Sequence, residues 1–127
     1  MADLHSPHGT PEEVTGKLHE LLTNLWSRSQ QTIADRLNVL HASHRTLRVT
    51  PTDAAARRAG ADAAHKLAGI LGTFGLPTGT EIARRIEVLL DSSASLRKFE
   101  LDTLQHSIGQ LQQMIEEKSR SAGKRRA

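Results

Sequence analysis

The chain has 127 residues, a formal net charge of +3 and no cysteine. This length suits one domain with a modest core and leaves no room for a large cleft between domains. The lack of cysteine excludes a disulfide framework and thiolate chemistry. The start MADLHSPHGTPEE has no basic region followed by an apolar run, and no apolar stretch approaches the roughly 20 residues of a membrane span. We therefore expect a cytoplasmic protein without a membrane segment.

The positive charge is concentrated at the C-terminus. Residues 118–127 (KSRSAGKRRA) hold five basic residues and no acidic one, whereas the rest holds 12 basic and 14 acidic residues, a formal charge of −2. A basic end can bind nucleic acid, but it is more commonly solvated and disordered. With one Trp, two Phe and no Tyr, the chain lacks an aromatic platform for single-stranded nucleic acid. We expect residues 1–9 and 118–127 to be disordered and nucleic acid not to bind.

Residues 10–49 have the pattern of one long amphipathic helix or two nearly continuous ones. The sequence TPEE (10–13) is typical of a helix start, with a Thr cap, a proline in the first turn and a Glu at the third helical position. No Gly or Pro interrupts residues 17–49. Apolar residues recur there at helical steps: Leu18, Leu22, Leu25, Ile33, Leu37, Leu40 and Leu47.

Three more helices follow at short intervals. They are predicted over about 53–74, from the turn GLPTGTE (75–81) to about residue 90, and over about 95–118. No stretch alternates with the period of a strand. Four helices with short connections predict an all-α, antiparallel four-helix bundle over residues 10–117, with a long first helix or an extra N-terminal helical segment.

One histidine of the second helix lies opposite its apolar face. On a helical wheel of about 100° per residue, Ala63, Leu67 and Phe74 fall roughly opposite His65, so this face meets the core and His65 points to solvent. Exposed helix positions normally carry long polar side chains. The side chains on the side of His65 are mostly short instead. We predict that a partner docks there, on Ala61, Asp62, Ala68, Gly69 and Gly72.

The glycines of this helix need an explanation, because each interior glycine costs about 1 kcal/mol against alanine. Gly60 lies on the core face and suits tight helix packing. Gly75 is typical of a helix stop, where a positive φ is often needed. Gly69 and Gly72 lie off the core face, and we interpret them as clearing space around His65.

An exposed imidazole can act as a nucleophile, because the unperturbed pKa of histidine, about 6.5, leaves the ring largely neutral at cytoplasmic pH. A nearby cation would stabilise a phosphoryl group on its nitrogen. Lys66 follows His65 directly and has a long flexible stem. Arg84 and Arg85, in the predicted third helix, are the other candidates.

Other chemistry is poorly supported. The sequence has no GxxxxGK[ST] loop and no kinase GxGxxG loop, so we expect neither ATP binding nor kinase activity. His41 and His44 lie three residues apart but no further ligands occur at suggestive spacing, and we predict no metal site.

The segment AHKLAGILGTFGLPTGTEIARRIE (64–87) resembles the signature of the histidine phosphotransfer (Hpt) domains of two-component phosphorelays. The resemblance covers about residues 14–117. It is strongest at Ala64, His65, Leu67, Gly69, Phe74, Gly75 and Leu76. It implies a four-helix bundle in which His65 accepts a phosphoryl group and exchanges it with the Asp of a response-regulator receiver domain.

The resemblance also implies that Gly69 allows close approach of the partner one turn after His65. Many members carry Lys three residues after the histidine, where this chain has Ala68. The identity of the stabilising cation therefore stays open: Lys66 can supply the charge, and Arg84 and Arg85 are the other candidates. Glu87 falls where some members have a polar residue near the site.

These expectations describe a phosphocarrier rather than an enzyme. Its partners would be a receiver domain, a sensor histidine kinase or both. It would need no cofactor, with Mg²⁺ held only by the partner receiver domain, and we expect a monomer. The alternative is a helical docking or adaptor module that binds a receiver or kinase domain without phosphoryl transfer.

Overall fold

A computed structural model describes residues 10–92 and 94–126, with side chains described up to residue 121. These residues form four helices and no strand: α1 (Pro11–Val49), α2 (Ala54–Thr73), α3 (Pro77–Ser92) and α4 (Lys98–Arg126). The all-α four-helix bundle with a long first helix is confirmed. None of the described helices is long and apolar enough to span a bilayer.

The chain divides into two compact units, residues 1–30 and residues 31–127. In the first unit, the described residues 10–30 form the N-terminal part of α1. The second unit contains the remainder of α1 together with α2, α3 and α4. The predicted bundle domain over residues 10–117 stays a prediction.

Aliphatic side chains from all four helices fill the core of the second unit. The largest of them expose less than 2% of their surface: Ile33, Leu40, Leu47, Leu67, Leu71, Ile86, Leu90, Leu104, Ile108 and Leu111. Burying one such side chain stabilises a fold by roughly 1.5–3 kcal/mol. This core holds the outer face of α2 in a defined orientation.

Both ends of α2 are fixed by hydrogen bonds. The carboxylate of Asp53 accepts a hydrogen bond of 2.9 Å from the backbone N–H of Ala56, which caps the first turn. At the other end, Gly75 has a φ of +67°, and the N–H of Leu76 donates to the carbonyl of Leu71 at 3.0 Å. This glycine stop reverses the chain, so that α3 packs back along α2.

Gly60 allows close packing in the core, as its position on the wheel predicts. A Cβ atom at Gly60 would lie 2.8 Å from Cδ1 of Leu90 and 3.2 Å from Cβ of Ser43. These two neighbours belong to α3 and α1. The absence of a side chain therefore lets three helices meet at one point beneath the exposed face of α2.

The C-terminal boundary differs from the expectation. Residues 118–126 continue α4 as a helix, so the prediction of a disordered tail is wrong there. Lys and Arg are good helix formers, and positive charge is favourable near a helix C-terminus. The predicted disorder of residues 1–9, and the state of residue 127, lie outside the described residues.

His44 is a titratable group inside this core, with 7% of its surface exposed. Burial lowers its pKa below the ordinary value of 6.5, because the imidazolium would lose hydration. The positive charge of Arg48 and the neighbouring His41 act in the same direction. A hydrogen bond with the backbone of Leu101 and the carboxylate of Asp102 act in the opposite direction.

A lowered pKa in the folded state makes protonation of His44 favour unfolding. We therefore expect the free energy of unfolding to fall as the pH drops below 6.5, until the pH reaches the lowered pKa of the folded state. In His44→Gln this contribution, at most about 1.4 kcal/mol per pH unit for one proton, should disappear. Urea unfolding at several pH values measures it, with the exposed His106→Gln as the control. Equal slopes in His44→Gln and wild type would contradict the assignment.

Candidate functional site

His65 lies on the outer face of α2, and 72% of its side chain is exposed. Its neighbours Ala63, Ala64 and Leu67 are buried in the core. The exposure of His65 agrees with its predicted position opposite the apolar face. The ring is therefore accessible to a second macromolecule without any rearrangement of the core.

The imidazole of His65 is held by a carboxylate on the neighbouring helix. Nδ1 of His65 lies 3.0 Å from Oε2 of Glu87, whose side chain is 27% exposed. An ionised carboxylate only accepts hydrogen bonds, so Nδ1 carries the donated proton. In the neutral ring, Nε2 then has the free lone pair. The contact thus orients the ring and selects Nε2 as its nucleophilic nitrogen.

Arg84 lines the same recess as this ring. A shallow recess next to the imidazole is lined by His65, Ala68, Gly69, Arg84, Glu87 and Val88. A guanidinium in this recess can donate hydrogen bonds to an anionic group bound at the ring. Arg84 and Glu87 lie three residues apart on α3, so one helix face presents both a cation and the carboxylate.

Lys66 lies on a different side of α2. Its ammonium is 3.1 Å from Oδ2 of Asp62, one turn earlier. It lines a second recess, together with Thr32, Arg36, Gly69, Ile70 and Thr73. Such an exposed ion pair contributes at most about 1 kcal/mol, so it does not lock Lys66 in place. The structure nevertheless groups Arg84, and not Lys66, with His65 in one recess.

Arg85, the third candidate cation, forms an ion pair with a different residue. Its guanidinium lies 2.7 Å from Oε1 of Glu81, one turn earlier on α3. Arg85 does not line the recess next to His65.

The predicted docking patch is narrower than the wheel suggests. Ala61 and Ala68 expose only 6% and 5% of their surface, so the prediction that they form an exposed docking face is wrong. Ala68 lines the recess at His65 together with Arg84 and Val88 of α3, which packs against α2. Asp62, Gly69 and Gly72 are exposed. A wheel with one buried face underestimates the buried arc of a helix that has neighbours on two sides.

Gly69 and Gly72 do not serve helix packing. A Cβ atom at Gly69 would meet nothing within 4 Å, and the nearest atom at Gly72 is Oγ1 of Thr80 at 3.8 Å. The backbone of α2 is therefore uncovered for two turns beyond His65. The sequence-based interpretation of these glycines as open surface agrees with the structure.

The two histidines considered as metal ligands have other surroundings. Nε2 of His41 lies 2.8 Å from Oε1 of Gln112, and His44 is buried. Among the described residues, no group of three or more His, Cys, Asp or Glu side chains could hold a metal ion.

The chain matches the family model of the Hpt domain over residues 12–121. Because this match spans nearly the whole chain, the protein belongs to the Hpt domain family. No curated protein and no solved structure matches it. Hpt domains are histidine phosphotransfer modules of phosphorelays, not kinases, and they interact with receiver domains and kinases.

The contact with Glu87 predicts the tautomer of His65. In the wild type, the neutral ring should carry its proton on Nδ1, since the carboxylate accepts from that nitrogen. Glu87→Ala removes the acceptor, and the population with the proton on Nε2 should rise. Nitrogen chemical shifts of the two ring atoms at neutral pH measure both populations. The exposed His106 gives an internal reference in the same spectrum, and an unchanged ratio at His65 would contradict the role of Glu87.

Proposed function

We propose that this chain is a phosphocarrier that relays a phosphoryl group through His65. The donor is the phospho-Asp of a receiver domain or a sensor histidine kinase, and the acceptor is the Asp of another receiver domain. The observation that carries the proposal is the contact between Nδ1 of His65 and Glu87 at 3.0 Å, on an imidazole with a 72% exposed side chain.

In this proposal, the lone pair on Nε2 of His65 attacks the phosphorus of the aspartyl phosphate. A bond forms between Nε2 and phosphorus, the bond from phosphorus to the carboxylate oxygen breaks, and the carboxylate leaves with the electron pair. The proton stays on Nδ1, where the carboxylate of Glu87 stabilises the positive charge that develops on the ring. The return step reverses these bond changes on a second receiver Asp.

The receiver domain and this chain contribute different chemical groups to the proposed transfer. The transferred group in such reactions needs positioning and charge neutralisation more than covalent chemistry. We propose that Mg²⁺ and the acidic pocket belong to the receiver domain, while this chain supplies the nucleophile and binds no ATP. This chain then needs only an accessible, oriented imidazole and a cation at its side.

We further propose that the receiver domain docks over the uncovered backbone next to His65. Asp62, Gly69 and Gly72 are exposed there, and the partner can approach closely because no side chain projects from the glycines. Val88 on α3 lines the recess at His65 and exposes 64% of its surface, which gives the partner an apolar contact. The periodicity of α3 did not single out Val88, since one exposed apolar residue is common on any surface.

The first prediction concerns the phosphoryl acceptor. His65→Gln should accept no phosphoryl group from a phosphorylated receiver domain, because the amide nitrogen is not a nucleophile under these conditions. The wild type should take up a labelled phosphoryl group, and its bond to the protein should be labile in acid and stable in alkali. Binding of the receiver domain, measured by calorimetry, should change little in His65→Gln. Binding without labelling of the wild type, across several receiver domains and kinases, would support the docking module instead.

The second prediction separates the two candidate cations. Arg84→Ala should slow transfer to His65 about tenfold, equivalent to the loss of roughly 1.4 kcal/mol of charge-assisted hydrogen bonding. Lys66→Ala removes the same unit of charge from the other side of α2 and should change the rate less than about twofold. Rapid-quench measurements of single-turnover transfer give both rates. A larger effect of Lys66→Ala than of Arg84→Ala would overturn the assignment of the cation.

A further inference from the structure

The recess that Lys66 lines contains a second cation, Arg36 of α1, which the proposed transfer step does not use. We call it the Arg36 recess. Its remaining lining residues are uncharged: Thr32, Gly69, Ile70 and Thr73. Two cations and no carboxylate therefore line this recess. Such a lining favours an anion as the occupant.

Arg36 is the cation of this recess that has no counter-ion. It is half-buried, and its Nε atom is buried without a hydrogen-bond partner. No carboxylate among the described residues forms an ion pair with it. The ammonium of Lys66, in contrast, already lies 3.1 Å from the carboxylate of Asp62. Burial costs Arg36 part of its hydration and no protein group compensates, so Arg36 gains more than Lys66 from an added anion.

The core fixes the segment of α1 that carries Arg36. Ile33 and Leu37 are three residues before it and one residue after it, and they expose 1% and 8% of their surfaces. The carboxylate of Asp35 is engaged along its own helix, because Oδ1 accepts a hydrogen bond of 2.9 Å from Nε2 of Gln31. The guanidinium is planar and donates in a fixed fork that matches a carboxylate. Arg36 is thus a pre-positioned donor for a carboxylate from outside the chain.

The Arg36 recess adjoins the site of His65 through one glycine. Gly69 lines both this recess and the recess that contains His65 and Arg84. A Cβ atom at Gly69 would meet nothing within 4 Å, so no side chain separates the two recesses at this point. A macromolecule that docks over Gly69 to reach the imidazole therefore also reaches the Arg36 recess.

We propose that the Arg36 recess binds a carboxylate side chain on the docking surface of the receiver domain. This inference rests on the proposed function, in which an acidic pocket of the receiver domain faces His65. A cation beside the nucleophile is complementary to such a surface, and charge complementarity of this kind sets affinity and orientation. Arg36 is a positioning residue: it holds the receiver domain, while His65 and Arg84 meet the phosphoryl group.

Calorimetry of the full chain with a receiver domain that binds the wild type tests this role. Arg36→Gln should weaken binding about tenfold, through the loss of a hydrogen-bonded charge pair. Arg36→Lys keeps the charge and should lose less. The control is Arg45→Gln, which removes the same charge from an exposed position about 180° round α1 from Arg36 and should bind like the wild type. Circular dichroism should show the same helical signal for all four proteins.

The rate of transfer separates this inference from the proposed function. With the receiver domain at saturation, Arg36→Gln should transfer the phosphoryl group within about twofold of the wild-type rate, because its weaker binding no longer matters. Equal affinities of Arg36→Gln and the wild type would overturn the role of Arg36 and leave the relay through His65 intact. A wild type that binds receiver domains but exchanges no phosphoryl group would count against the relay, and the comparison of affinities would still test Arg36.

Charge reversal identifies the occupant. Arg36→Glu should bind more weakly than Arg36→Gln, because like charges would meet. A change of one Asp or Glu on the docking surface of the receiver domain to Lys should restore the affinity for Arg36→Glu and weaken binding to the wild type. If no such change restores it, the assignment to a receiver side chain is overturned. Inorganic phosphate, titrated into the chain alone, would then reveal a free-anion site by saturable binding that Arg36→Gln loses.

Discussion

The hydrogen bond between Nδ1 of His65 and the carboxylate of Glu87 is the interaction on which the site depends. An exposed imidazole by itself can rotate and can carry its proton on either nitrogen. The carboxylate favours one orientation and one tautomer, because it accepts from Nδ1 and leaves the lone pair of Nε2 accessible. In the proposed transfer, it would also supply negative charge where the ring becomes positive. This one contact thus favours a single ring orientation and a single tautomer of His65.

That contact exists because two helices are held side by side. The positive φ of Gly75 ends α2 and reverses the chain, and the missing side chain of Gly60 lets α1 and α3 approach α2 closely. Leu67 and Leu90 are completely buried beneath the site. The rigid core therefore places Glu87 within hydrogen-bond distance of His65. The stability of the bundle and the orientation of His65 have the same physical origin.

The sequence predicted the features that depend on local pattern. Helical periodicity gave the four helices and the exposure of His65, and the glycine at position 75 gave the turn. The resemblance to Hpt domains, carried by the segment from 64 to 87, gave the family that the family model confirms.

Features that depend on how helices meet were not predictable from the sequence. Glu87 lies 22 residues from His65 along the chain, and no local spacing indicates their contact; only the resemblance to Hpt domains placed Glu87 near the site. Ala61 and Ala68 were placed on the open face because a wheel does not show how far α3 covers α2. Proximity in sequence made Lys66 a candidate beside Arg84, although it is Arg84 that lines the recess next to the ring. The basic composition of residues 118–126 suggested disorder, but the same side chains are compatible with a helix end.

The central claim is that Glu87 holds Nδ1 and leaves Nε2 of His65 to take the phosphoryl group. The most direct test is to phosphorylate the nitrogen-labelled protein with a phosphorylated receiver domain and to determine which ring nitrogen is coupled to phosphorus in the NMR spectrum. The account predicts coupling to Nε2 of His65. Coupling to Nδ1, or a phosphoryl group on any other residue, would contradict it.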